Sequence, residues 1–260
     1  MKKALLQIHL AVLLWGFTGV LGRAITLTAP VLVWYRMLMT AIFMAGILYY
    51  RKQWQPIKRR DLGQLALIGC LMGIHWVAFY GAIKFANASI ALVCLSTASI
   101  FTSLLDPLVN KSRYDYKELL IGAMALAGVY LIYRFQEFYG LGILFGVIAA
   151  ILSSVFTVLN KRIANKYPAR LMVFYEMGTG WLLITLLLPL QLYYQPQTAI
   201  LPTNMDWIWL VVLSLCCTVW AQSLALNALK HISSFTATLS VNLEPVYGIL
   251  LAFVFFNKKD

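Results

Sequence analysis

Charge is scarce in this chain. Nine acidic and 21 basic residues among 260 make only 12% charged, about half the share found in soluble domains. Histidine is scarcer still: His9, His75 and His231 are the only three, too few for a His-based metal centre. The four cysteines, Cys70, Cys94, Cys216 and Cys217, stand inside apolar runs without metal-ligand or CxxC spacing, so they read as small packing residues. HExxH, GxSxG and P-loop patterns are missing. These absences argue against an enzyme and against a metal or other cofactor. Long polar segments are missing too, which leaves no room for a soluble domain. The net charge of +12 is spread over short loops and does not point to nucleic acid.

What fills the chain is apolar. Hydrophobic residues make up 62% of it, and the mean hydropathy is +0.79. A membrane span needs about 20 mainly apolar residues. Nine such runs are expected, over residues 6–25, 31–50, 63–83, 89–109, 117–134, 141–162, 170–192, 207–228 and 234–256. The partner they imply is the lipid bilayer. The first run is too long for a signal-peptide core and has no cleavage site after it. Basic residues set the orientation. With the N-terminus inside, fifteen lie on the cytoplasmic side and five outside (Arg23, Lys84, Arg134, Lys258, Lys259). Arg36, within a span, is the remaining one of the 21. The expectation is a multi-pass protein of a bacterial-type inner (plasma) membrane, N-terminus cytoplasmic, with the end of the nine-span chain external.

The chain also repeats itself. "FTGVLGRAI" (Phe17–Ile25) matches "FTVLNKRIA" (Phe156–Ala164), Tyr35–Met37 matches Tyr175–Met177, and Gly81–Ala91 matches Asn227–Ala237. The shared order at offsets of about 140–146 residues marks two related halves. Five spans in the first half make the second half enter from the other side, the inverted repeat of secondary transporters, whose sites lie near the midplane.

"LLWGFTGVLGRAI", Trp34-Tyr35-Arg36, "AIKFANASIA" and "NLEPVYGILLAFVFF" together resemble the EamA family of the drug/metabolite transporter superfamily, over essentially the whole chain. The resemblance implies an all-α ten-helix carrier of two inverted five-helix repeats, here 1–136 and 137–260. Helices one to four and six to nine would surround a central cavity, with five and ten peripheral. Members move small metabolites, often amino acids, and many act in efflux. Two departures stand out. The Glu that many relatives carry after spans four and nine is replaced by "VNKSRYDYKE" and "NKKD". The tenth helix expected by symmetry is absent from this chain, through truncation or in a naturally short form, truncation being the favoured expectation.

An ionisable group in a span costs roughly 2.5–3.5 kcal/mol and needs a partner or a wet cavity. Arg36 and Glu176 occupy matching places in spans two and seven, at opposite ends. Either they pair locally, or they line the two mouths of one cavity. His75, Trp76 and Tyr80 offer either helix packing or an aromatic cavity wall. Ser96 in span four, and Trp220 and Gln222 in span eight, are interhelical glue or cavity lining. Ser99, Ser103 and Asp106 share the Ser96 stripe, and Cys216, Ser223 and Asn227 the Trp220 stripe. Gly69, Gly73, Gly142 and Gly146 form seams for close helix approach. Pro245 lacks an N–H, so the carbonyl of Val241 loses its helical partner. Glu244 and Asn242 beside it make a midplane cavity, or a kink with Glu244 paired for stability. The leading expectation is an alternating-access exporter of a small metabolite, an amino acid or related compound. Substrate would sit between helices three and four and helices eight and nine. Glu176, Glu244 and His75 are the candidates to carry a coupling proton. A lipid-modifying membrane enzyme, built on His75 with Glu244 or Asp106, and a non-transporting receptor or assembly subunit are the rivals. Oligomeric state has no signature in the sequence.

Overall fold

The computed structural model describes residues 1–133 and 139–247. It is helical, with no strand among the described residues. In order, the helices are α1 (Lys2–Ala24), α2 (Ala29–Tyr50), α3 (Arg59–Phe85), α4 (Ala88–Leu95), α5 (Ala98–Asn110), α6 (Tyr116–Tyr133), α7 (Gly140–Ile163), α8 (Ala169–Tyr194) and α9 (Asn204–Ser214). A π-helical segment (Leu215–Trp220) links α9 to α10 (Ala221–Leu229), and α11 (Ser234–Val241) follows. Residues 244–247 are helical again. The described elements fall at the nine expected runs, one rod to each, the ninth being described as far as residue 247. Seven of those rods are long and apolar enough to cross a membrane: α1, α2, α3, α4 with α5, α7, α8, and α9 through α10. The outer part of the ninth run, Arg134 and Lys258–Lys259 lie outside the described residues, as does the point where a tenth helix would begin.

Local chemistry sets the ends. Pro30 opens α2, where its missing N–H costs nothing. Asn87 caps α4 by accepting from the Ile90 N–H at 2.9 Å, and Ser233 caps α11 through Thr236 N–H. Thr203 and Asp206 cap α9 reciprocally.

Two rods break in the middle. Between α4 and α5, the Ser96 and Thr97 hydroxyls bond the carbonyls of Val93 and Cys94 at 2.7 Å. After α11 the chain turns at 242–243, with Asn242 N–H bonding Leu239 and Leu243 N–H bonding Ser240. That second break falls where Pro245 removes the donor for Val241. The first has no proline and was read as continuous helix from sequence.

The tightest crossing joins α2, α3 and α8. A side chain on Gly69 would collide with the Glu176 carbonyl and the Thr179 hydroxyl, and one on Gly180 with Met37 and the Gly69 carbonyl. Gly142 and Gly146 admit Ala86 and Cys94 in the same way. α6 packs chiefly on α5, at the edge.

Gly69→Ala should therefore destabilise the protein by about 1–3 kcal/mol, the usual cost of overpacking, because a backbone carbonyl cannot step aside. Gly46→Ala, with nothing within 4 Å, should be neutral or mildly stabilising. Thermal unfolding in detergent compares the two; equal effects would contradict the crossing.

Candidate functional site

A cavity of about 90 Å³ opens between α1, α2, α3, α4, α7, α10 and the ninth rod. α6 gives it no residue among the described ones. Trp15, Trp76, Phe79 and Phe156 form aromatic walls, and Thr18, Arg36, His75, Asn160, Gln222 and Glu244 supply polar groups. It runs from mid-bundle toward the side that holds the N-terminus, where Ile8, Leu229 and Ala237 line it.

Arg36 is the strongest group in it. The side chain is 2% exposed, yet its partners are all neutral. Nε donates to Thr218 Oγ1 at 2.9 Å, Nη1 to the Tyr80 hydroxyl at 2.8 Å, and Nη2 to the Cys217 carbonyl at 3.4 Å. The guanidinium lies 3.8 Å from the centroid of the Trp76 ring, a contact worth up to about 2 kcal/mol when desolvated. The π segment supplies two of these acceptors. Thr218 also bonds back to the Leu213 carbonyl, five residues earlier, at 2.9 Å. Among the described residues the one ion pair is Lys166–Asp61 at 2.8 Å, so no carboxylate neutralises Arg36 there.

Glu244, 3% exposed, lines the same cavity. Its Oε1 lies 3.3 Å from the Thr18 hydroxyl. That hydroxyl has a single proton and a shorter bond to the Trp15 carbonyl, 2.6 Å. His75 is held through Nδ1 by the Ala149 carbonyl at 2.7 Å, with Phe156 edge-on at 5.2 Å, so its other nitrogen is free to serve the cavity. Gln222 Nε2 donates to the Met72 sulfur at 4.0 Å.

Arg36, His75, Trp76, Gln222 and Glu244 thus meet in one place. Other expected site residues do not. Tyr80 stands behind Arg36 and is fully buried; it orients the guanidinium and is not part of the wall. Ser96 turns back onto Val93 at the α4–α5 break. Ser99, Ser103 and Asp106 likewise act within the scaffold, Asp106 accepting from Ser234 at 2.6 Å. Trp220 is corrected outright: it is 62% exposed, on the outer surface. Trp220 ends the π segment on the outward side, while Cys216, Ser223 and Asn227 of its stripe are partly buried. Cys217, Thr218, Ala221 and Gln222 face in. Asn242 sits in the turn after α11, outside the cavity lining, with its Oδ1 buried. Glu176 is fully buried beneath the α3–α8 crossing, next to Asn160 and behind the cavity wall.

The two ends of the bundle are tied by matching contacts that sequence reading missed. Asp206, in the first turn of the eighth rod, accepts from Thr26 N–H at 2.8 Å and from the Thr26 hydroxyl at 2.7 Å. Lys84 closes the same end on the Ile25 carbonyl at 2.7 Å. Asp61, in the first turn of the third rod, accepts from Lys166 at 2.8 Å and the Tyr167 hydroxyl at 2.9 Å. In each case the loop after the first rod of one half is held by the aspartate that opens the third rod of the other. The Thr203-x-x-Asp206 capping signature was visible in the sequence; its second partner, 180 residues away, was not.

A bundle of membrane-length helices around a buried, polar, aromatic-walled cavity defines a polytopic membrane protein of the carrier type. The chain belongs to the EamA-like transporter family, whose model matches twice, at residues 2–134 and 140–259. An uncharacterized transporter of Archaeoglobus fulgidus is 25% identical over 237 residues, 88% of this chain and 80% of that one. The uncharacterized transporter YxxF of Bacillus subtilis is 22% identical over 263 residues, covering 97% and 81%. A crystal structure at 18% identity shares the fold, with a TM-score of 0.77 over 100% of this chain and 90% of its own.

Tyr80→Phe removes a hydrogen bond to a buried charge, which is worth about 1.5–3 kcal/mol. Unfolding in detergent should show that loss, while the outward Trp220→Ala stays within about 0.5 kcal/mol. The reverse order would contradict the placement of both.

Proposed function

We propose that this chain is a secondary carrier that moves a small metabolite across the cytoplasmic membrane by alternating access. The observation that carries this reading is Arg36. A buried cation with only neutral partners among the described residues, facing an aromatic cavity, is a receptor for an anionic group. Glu244 in the same cavity suits an ammonium. One acidic and one basic receptor in a small space fit a zwitterion, and an amino acid or close relative is the proposed substrate. A cavity of about 90 Å³ has room for only a few waters' worth of ligand, which favours a small one.

The basic loops favour an N-terminus inside. The cavity then leans toward the cytoplasm, and the Thr26–Asp206 tie closes the outer end. This arrangement suits loading from the cytoplasm and supports export. Rocking of the two halves would break one aspartate tie while keeping the other. No nucleotide-binding motif is present in the sequence, so an ion gradient or counter-substrate drives the cycle, with Glu176, Glu244 and His75 as the groups to carry a coupling proton.

Proteoliposomes test the reading. Preloaded unlabelled amino acids should drive uptake of the labelled compound, for at least one member of a panel. Arg36→Gln should cut that exchange roughly tenfold or more, the effect of about 1.4 kcal/mol. Failure of the wild-type protein to speed any panel member would sink the carrier reading.

A second experiment tests the ties. In a cysteine-free background, Thr26→Cys with Asp206→Cys should form a disulfide that stops exchange, and reductant should restore it. Undiminished exchange in the cross-linked protein would contradict rocking at that end.

A further inference from the structure

Glu176 has an environment unlike that of any other carboxylate described here. It is the eighth residue of α8, fully buried, under the crossing where Gly69 brings the backbone of α3 onto its own carbonyl. Neither carboxyl oxygen has a hydrogen-bond partner among the described residues. Asn160 of α7, 1% exposed, is the polar side chain beside it, and its Oδ1 is also without a donor. Three acceptor atoms are therefore buried close together, and, among the described residues, the Asn160 amide is the polar group near enough to Glu176 to interact with it. Asn160 also lines the central cavity, so it belongs to both sites.

No neighbouring charge compensates Glu176 among the described residues. On α2, Arg36 is committed to Tyr80 and Thr218. On α3, Asp61 is paired with Lys166, His75 bonds Ala149, and Lys84 bonds Ile25. Lys161 on α7 is held by the Leu229 and Ile232 carbonyls. On the π segment, Cys217 gives its carbonyl to Arg36. A bare carboxylate in such a site is costly.

We infer that Glu176 and Asn160 form a proton-binding site that adjoins the substrate cavity, with Asn160 as the shared wall. A proton on Glu176 removes the charge and creates the missing O–H donor, which the asparagine side chain can accept. Three oxygens are too few to replace the hydration shell of a metal cation, which takes about six. Any movement of α7 as the cavity fills or closes displaces Asn160 and so acts on the proton. This rests on the carrier reading for its purpose: the proton held here is the one exchanged for substrate. The site itself stands independently of that purpose.

The test needs no substrate. Infrared difference spectra of the full chain in lipid, titrated with acid and alkali, read protonated carboxyl groups directly. The wild-type protein should show a carboxylic C=O band that vanishes in Glu176→Gln and persists in Glu244→Gln. Asn160→Ala should keep the band and move it to higher frequency, because the acid loses its acceptor; this variant serves even where Glu176→Gln folds poorly. Identical spectra for wild type, Glu176→Gln and Asn160→Ala across the titration would overturn the site. Exchange in proteoliposomes is a separate readout, so a missing band with normal exchange refutes the site alone, and a present band without exchange refutes the carrier reading alone.

Discussion

A guanidinium inside an apolar bundle sets the terms for everything near it. Transfer of Arg to the middle of a span is unfavourable by roughly 2.5–3.5 kcal/mol on insertion scales, so Arg36 persists only because its surroundings are prearranged. Tyr80 and Thr218 take its protons and Trp76 takes its face. Each partner depends in turn on a special feature. Tyr80 reaches its place because Gly22 presents no side chain against its ring. Thr218 and the Cys217 carbonyl come from a π segment, a backbone form that tends to occur at functional sites. These partners are neutral, and they solvate the charge without cancelling it. That leaves a positive charge, unpaired among the described residues, lining a small cavity, which is the physical basis of the proposed anion recognition.

Close packing supplies the second constraint. The Gly69–Gly180 crossing brings α3 and α8 together backbone to backbone, with Met37 of α2 packed against it, and so forms a tight contact between the two halves of the chain. Interfaces of this kind slide or rock as bodies and do not deform smoothly. In the proposed rocking, motion would concentrate at the ends, where Asp206 and Asp61 hold opposite loops with a few polar contacts each. The breaks in the fourth and ninth rods add local freedom, since their backbone groups are already satisfied by turns and hydroxyls.

Much of this was legible in the sequence. Seven of the nine apolar runs stand as membrane-length helices and the small-residue seams as close crossings, because both rest on composition and spacing. The isolated charges Arg36 and Glu244 were legible because the cost of burying them demands a reason. What was hidden depends on backbone irregularity and distance in sequence. Nothing in "LCCTVW" marks a π segment, so Trp220 was turned inward when it faces out. The α4–α5 break has no proline to announce it. Asn160 stands in the sequence only within the repeat match, and its place beside Glu176 follows from α7 and α8 both packing against α3. The roles of Asp61 and Asp206 were hidden because their partners lie in loops of the other half.

The central claim is that Arg36 makes the cavity a receptor for a carboxylate-bearing small molecule. Titrating the full chain with a panel of amino acids and their matching amides, while following tryptophan fluorescence, addresses it most directly, since Trp76 lies against the guanidinium. The account predicts a saturable response to at least one amino acid, weak or absent for its amide, and lost in Arg36→Gln. An equal response to amino acid and amide, or one that survives Arg36→Gln unchanged, would contradict it.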